Sequence, residues 1–125
     1  MSTGATFVLD VGKTLTKASL WNPTGSLVDR RSRRNAKVDA GDYLALDVAG
    51  IEAWLEATLR DFSRMGRLAE IMVVAHGAAA ALIRGGRLQL PPLDYEHAIP
   101  SAIRQEYDAQ REPFSLTGLR HCRMA

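Results

Sequence analysis

With 125 residues, 46% of them hydrophobic and 24% charged, the chain is long enough for one domain with a buried core and too short for two. A net charge of +2 does not mark a nucleic-acid binder, no charged-then-apolar leader opens the sequence, and no apolar run nears the roughly 18 residues of a membrane helix, so the cytoplasm is the expected location. The single cysteine, Cys122, excludes an internal disulfide framework and a cysteine-rich zinc site, and His76, His97 and His121 lack metal-ligand spacing.

Residues 6–10 (Thr-Phe-Val-Leu-Asp) read as a buried strand. From 14 to 21, Thr14, Thr16, Ala18 and Leu20 alternate with Leu15, Lys17, Ser19 and Trp21, and this period of two with β-branched residues predicts a second strand. Asn22-Pro23-Thr24-Gly25 is a turn, because proline presets φ and glycine accepts positive φ. Residues 26–31 return as a third strand and complete an antiparallel meander. Residues 33–46 are polar and poorly patterned. The basic cluster Arg30, Arg31, Arg33 and Arg34 reads as a solvated strand end and loop, since no aromatic residue is interleaved with it to stack on bases.

A helix follows. Asp47 can cap it, and Ile51, Trp54, Leu55, Thr58, Leu59 and Phe62 recur at helical spacing on one face, which makes Trp54 a core residue. Gly66 is a plausible stop. Residues 69–75 form a short apolar run ending at His76-Gly77; after a helical crossover it is most simply a strand parallel to the first. Gly85-Gly86 marks a hairpin-like turn, Pro91-Pro92 ends that element, and residues 101–111 predict a second helix.

The chemistry concentrates where Phe7-Val8-Leu9-Asp10-Val11-Gly12-Lys13-Thr14 drives an apolar strand into an acid, a glycine, a lysine and a hydroxyl, with Lys17 close behind. Gly12-Lys13-Thr14 matches the tail of a Walker A loop, but the first glycine of that motif would fall on Phe7, and strand-like alternation follows where a P-loop needs a helix. The surviving phosphate reading is a β-hairpin turn. Gly12 removes the Cβ that blocks close approach of a phosphate. Successive backbone N–H groups form an anion-binding concavity assisted by the Thr14 hydroxyl. Lys17 or Lys13 supplies a cation, and Asp10 would meet the phosphates through a hydrated Mg²⁺. The same residues also suit a plain hairpin turn, with Asp10 and Gly12 doing only turn work.

In these motifs the chain resembles the FGGY family of carbohydrate kinases, within the actin/Hsp70/sugar-kinase superfamily. Asp10, Gly12, Thr14 and Lys17 fall on that family's D-x-G-T-[ST]-x-x-[KR] turn; the departure is Lys13, where the family usually has threonine. Asn22-Pro23-Thr24-Gly25 matches the family's next turn. Val73-Val74-Ala75-His76-Gly77 resembles the segment that lines the sugar pocket, and Leu90-Pro91-Pro92-Leu93-Asp94-Tyr95-Glu96 resembles the one that presents polar groups to the sugar. The likeness covers about residues 6–118 and is nearest in feel to fuculose- and rhamnulose-kinase-like members.

The resemblance implies an α/β, ribonuclease-H-like (actin-like ATPase) domain with a mixed sheet in order 3-2-1-4, element order β-β-β-α-β, truncated before a fifth strand. It implies ATP and Mg²⁺ as cofactors and a sugar or sugar-like polyol as substrate, with no nucleic-acid or membrane partner. Phosphate and hydrated Mg²⁺ would fall to Asp10, Gly12, Lys13, Thr14 and Lys17, and the substrate to His76, Gly77, Asp94 and Tyr95. By its residue type alone His76 serves equally as a hydrogen-bonded structural histidine, and Asp94 as the acceptor for a turn backbone.

The catalytic aspartate, second phosphate turn and adenosine motif of the family lie later, so no catalytic residue is expected in this chain, and by itself it is expected to be inactive. Residues 1–118 read as a partial N-terminal kinase domain and 119–125 as an atypical tail. Reread from the third base of the Leu119 codon, the tail can spell Pro-Ala-Leu-Pro-Asp-Gly, close to the family's continuation, so out-of-frame translation is expected there. Without a fifth strand, the fourth is an open edge through which the chain can self-associate. The alternative is a stand-alone, non-catalytic phosphate- or protein-binding domain. A chaperone-like ATPase of the same superfamily would have no reason to carry the His76-Gly77 and Asp94 segments.

Overall fold

The alternation of residues 5–34 builds an antiparallel meander in a computed structural model that describes residues 4–118. Strand β1 (Ala5–Val11) pairs with β2 (Leu15–Trp21), and β2 with β3 (Leu27–Arg34). Two three-residue strands, β4 (Lys37–Asp39) and β5 (Leu44–Leu46), then form a hairpin of their own. Helix α1 (Val48–Met65) crosses over, and β6 (Leu68–Ala75) lies parallel to β1. The sheet order β3-β2-β1-β6 is the 3-2-1-4 arrangement expected of the actin-like α/β domain.

One face of this sheet meets α1. Phe7, Leu9, Ala18 and Leu20 are buried against Phe62, with the Phe7 and Phe62 rings edge to face at 5.8 Å, and Trp54, Leu55 and Leu59 pack around them. Asp47 caps the helix by accepting from the Gly50 N–H at 2.9 Å. Its carboxyl is held below the usual range by that bond and by Arg33.

The region expected to be a loop is more ordered than its composition suggested. β3 runs on to Arg34; Arg30 and Arg34 are exposed, as expected, but the half-buried Arg31 and Arg33 are paired, reaching Asp61 of α1 at 2.5 Å and its cap Asp47 at 2.9 Å, and Arg31 also lies over the Phe62 ring at 4.9 Å. Three-residue strands are too short to show a period, which is why β4 and β5 left no pattern.

The small hairpin of β7 (Ile83–Arg84) and β8 (Arg87–Leu88) turns on Gly85 and Gly86, whose φ values of 57° and 72° favour glycine. Helix α2 (Ser101–Gln110) buries no residue, and α3 (Phe114–Thr117) is a single turn. Beyond Leu68, which packs against the core, β6 is covered on neither face: Ile71, Met72, Val73 and Val74 are each 53–61% exposed. Residues 119–125, on which the out-of-frame reading rests, lie outside the described residues.

Candidate functional site

Because β1 and β6 run parallel, their C-terminal ends open at the same end of the sheet, and the His76 N–H donates to Val11 O at 3.1 Å across that junction. The turn leaving β1 is tight. Gly12 N–H donates to Leu15 O at 3.0 Å, and a Cβ at Gly12 would stand 2.8 Å from that same oxygen. Glycine is therefore demanded by the turn itself, before any ligand is considered.

The turn is braced from the end of β3. Thr16, fully buried, donates its hydroxyl to Asn35 Oδ1 at 2.9 Å, while Asn35 Nδ2 donates to Gly12 O at 2.7 Å and Asn35 N–H to Thr14 O at 2.8 Å. Sequence reasoning missed Asn35. Its partners lie 19–23 residues away, and nothing local to it signals the contact.

From this turn the expected phosphate residues diverge. Asp10 and Lys17 are cross-strand partners with Lys17 Nζ 3.5 Å from Asp10 Oδ2, each about half exposed. By strand alternation Asp10 lies on the opposite face of β1 from Phe7 and Leu9. Thr14 is exposed.

Lys13 joins the Asp94-Tyr95-Glu96 segment instead. Its ammonium stands 3.0 Å from Asp94 Oδ1, contacts the Glu96 carboxylate, and sits 4.3 Å from the centre of the Tyr95 ring. Lys37 of β4 reaches the other Asp94 oxygen at 2.5 Å. Asp94 is wholly buried, and its backbone is pinned as well: its N–H donates to Leu44 O and its carbonyl accepts from His97 N. Burial works to raise the Asp94 pKa, but hydrogen bonds from Lys37, Lys13 and the Glu96 N–H outweigh it and bring the value down to about 2. Burial works to lower the Lys13 pKa, and the Glu96 and Asp94 carboxylates more than offset that, leaving it raised.

Tyr95 links this cluster to His76, its ring 5.7 Å from the imidazole in an edge-to-face contact. His76 Nδ1 is buried with no hydrogen-bond partner among the described residues. Gly77 follows it, exposed. So the structure brings together Lys13, His76, Asp94 and Tyr95, adds Glu96 and Lys37, and holds Asp10 and Lys17 as a separate pair beyond the Gly12 turn. Lys37 lay in the stretch that showed no pattern, and only the fold brings it to Asp94.

Chemically, the half-exposed Asp10 with its long contact to Lys17 leaves carboxylate oxygens accessible to the water shell of a cation. Among the described residues no group of three His, Cys, Asp or Glu side chains is placed to ligate a metal directly. No described helix is long and apolar enough to cross a membrane.

No protein-family model matches the chain, and no curated protein matches it. Solved structures do. A carbohydrate kinase from Novosphingobium aromaticivorans aligns with 97% of this chain at 39% identity and a TM-score of 0.81, covering 26% of that kinase. A xylulose kinase from Lactobacillus acidophilus aligns with 84% of this chain and 23% of its own (17% identity, TM-score 0.61). A gluconate kinase from the same organism aligns with 85% of this chain and 23% of its own (17% identity, TM-score 0.62). The last two share the fold. The chain spans about a quarter of the length of the structures it matches.

Proposed function

From the premise that this chain resembles carbohydrate kinases across nearly its whole length, we propose that it is the N-terminal part of an ATP-dependent, FGGY-type sugar kinase. It would supply the first phosphate turn and part of the substrate pocket. The observation that carries this reading is the convergence of the Gly12 turn, His76 and the Asp94-Tyr95-Glu96 loop at the C-terminal ends of two parallel strands, where α/β sheets of this kind hold ligands.

In that reading Gly12 and Thr14 receive the phosphates, Lys17 contributes positive charge, and Asp10 orients the water shell of Mg²⁺. Bound there, Mg-ATP would supply the transferable phosphoryl group, and the backbone dipoles of the turn would help to neutralise the charge that builds up on it. His76, Gly77, Asp94 and Tyr95 border the sugar or polyol. Asp94 is already ion-paired with two lysines and accepts a backbone N–H, so it acts chiefly by fixing the loop that carries Tyr95 and Glu96. No residue here is assigned as the base that takes the hydroxyl proton. The base and the second phosphate turn belong to the remainder of such an enzyme, and the chain alone is inactive.

Reading the coding DNA beyond codon 118 tests this. A frame that encodes a second phosphate turn and a base aspartate supports the kinase reading, and a shift near codon 118 supports the out-of-frame origin of residues 119–125. An undisturbed frame with neither element contradicts both. A second reading, a non-catalytic protein-binding domain, draws on the uncovered apolar faces of β6; it is favoured by that same negative result.

A further inference from the structure

We propose that Glu96 is an internal counter-ion for Lys13, which a phosphate entering the turn at residues 12–14 displaces, so that anion binding at the turn is read out in the loop beside the substrate. The proposal rests on the phosphate reading of that turn and goes beyond it in giving Lys13 and Glu96 a joint, switching role.

The two carboxylates on Lys13 are unlike. Asp94 is wholly buried, is held by Lys37 as well as Lys13, and accepts the Glu96 backbone N–H at 3.1 Å, so three donors fix it. Glu96 is 57% exposed; its carboxylate touches Lys13 and otherwise stands 3.8 Å from Lys37. The Lys13 end of the pair is buried and its Glu96 end is open to solvent, so the contact opens from the Glu96 side, and charge-assisted hydrogen bonds to a multiply charged phosphate are strong enough to replace it.

The charge balance points the same way. Lys13 and Lys37 carry two positive charges and Asp94 and Glu96 two negative ones, so the resting cluster is neutral. A phosphate arriving without exchange would meet the Glu96 carboxylate as a like charge; with exchange, Lys13 keeps Asp94 and swaps Glu96 for the newcomer. Lys13 is adjacent to Gly12, so its ammonium is tethered to the turn that would hold the anion. The response reaches the substrate side because Tyr95, under the Lys13 ammonium and against His76, is the residue next to Glu96. Lys13 and Glu96 are positioning residues in this account.

The test titrates ¹⁵N-labelled chain with sodium tripolyphosphate, following the amides of Gly12, Thr14 and Glu96 in the wild type, Glu96→Gln, Lys13→Thr and Glu56→Gln. Glu56 lies on the exposed side of α1, paired with Arg60, so its variant makes the same charge change away from the turn. In the wild type all three amides shift with one saturation curve. Glu96→Gln is expected to tighten binding by about three- to tenfold, and Glu56→Gln to leave it unchanged. Lys13→Thr keeps the Gly12 response but loses that of Glu96, and adding Glu96→Gln to it brings no further gain. If Gly12 responds but Glu96→Gln binds no tighter than Glu56→Gln, the exchange is wrong and the phosphate reading stands. If Gly12 and Thr14 respond in no variant, both fail.

Discussion

Asn35 holds the backbone of Gly12 from 23 residues away, its side-chain amide donating to Gly12 O at 2.7 Å while its own oxygen accepts from the buried Thr16 hydroxyl. One amide thus ties the turn after β1 to the strand that leaves it. Replacing Asn35 with alanine strands the Thr16 hydroxyl without an acceptor and frees the Gly12 carbonyl. A loss of about 1–3 kcal/mol is expected, read as a lower urea midpoint, and the Gly12 and Thr14 amide signals should move with it.

Gly12→Ala addresses the same turn by sterics. The added methyl meets a backbone oxygen, Leu15 O at 2.8 Å, which cannot swing away as a side chain can. A destabilisation of about 1–3 kcal/mol is expected, seen as a lower thermal midpoint, together with weaker tripolyphosphate binding. An unchanged midpoint would mean that the turn is looser than its hydrogen bond indicates.

Acid should reach the loop at residues 94–96 through Asp94. Its pKa is depressed to about 2 in the folded chain, so its contribution to stability is intact above the ordinary carboxylate value near 4 and is lost as pH falls from there through about 2. Asp47 and Asp61, also depressed, act in the same direction through Gly50 with Arg33 and through Arg31 respectively. Urea midpoints measured between pH 5 and 2 should fall steadily for the wild type. Asp94→Asn should start lower at pH 5 and fall less.

The sequence reached the fold where periodicity was long enough to speak. The alternation through Leu20 announced β1 and β2, and the helical recurrence from Ile51 to Phe62 announced α1, with Asp47 and Gly66 marking its ends. It also brought His76 to the end of a strand parallel to the first. Lys37 and Asn35 were illegible because their roles are set by tertiary contact: a lysine and an asparagine in a polar stretch look solvated until β4 and β3 carry them to Asp94 and Gly12. Arg31 and Arg33 misled for the same reason, their carboxylate partners lying on a helix 14–30 residues further on.

Self-association is expected through β6. An edge strand with Ile71, Met72, Val73 and Val74 all more than half exposed invites pairing with another chain, and its one charged residue, Glu70, offers little to oppose it. Sedimentation of the wild type should depend on concentration, and Val73→Lys should suppress that dependence. A monomer with a single sharp unfolding transition contradicts this expectation.

The kinase reading rests above all on the turn between β1 and β2 being a phosphate site served by Asp10 through hydrated Mg²⁺. Calorimetric titration of the chain with ATP, with and without Mg²⁺, tests it most directly when the wild type is compared with Asp10→Asn. Mg²⁺ should tighten ATP binding to the wild type several-fold, and the variant should lose that gain while keeping its Mg²⁺-free affinity. ATP that does not bind, or a Mg²⁺ effect that survives in Asp10→Asn, contradicts it.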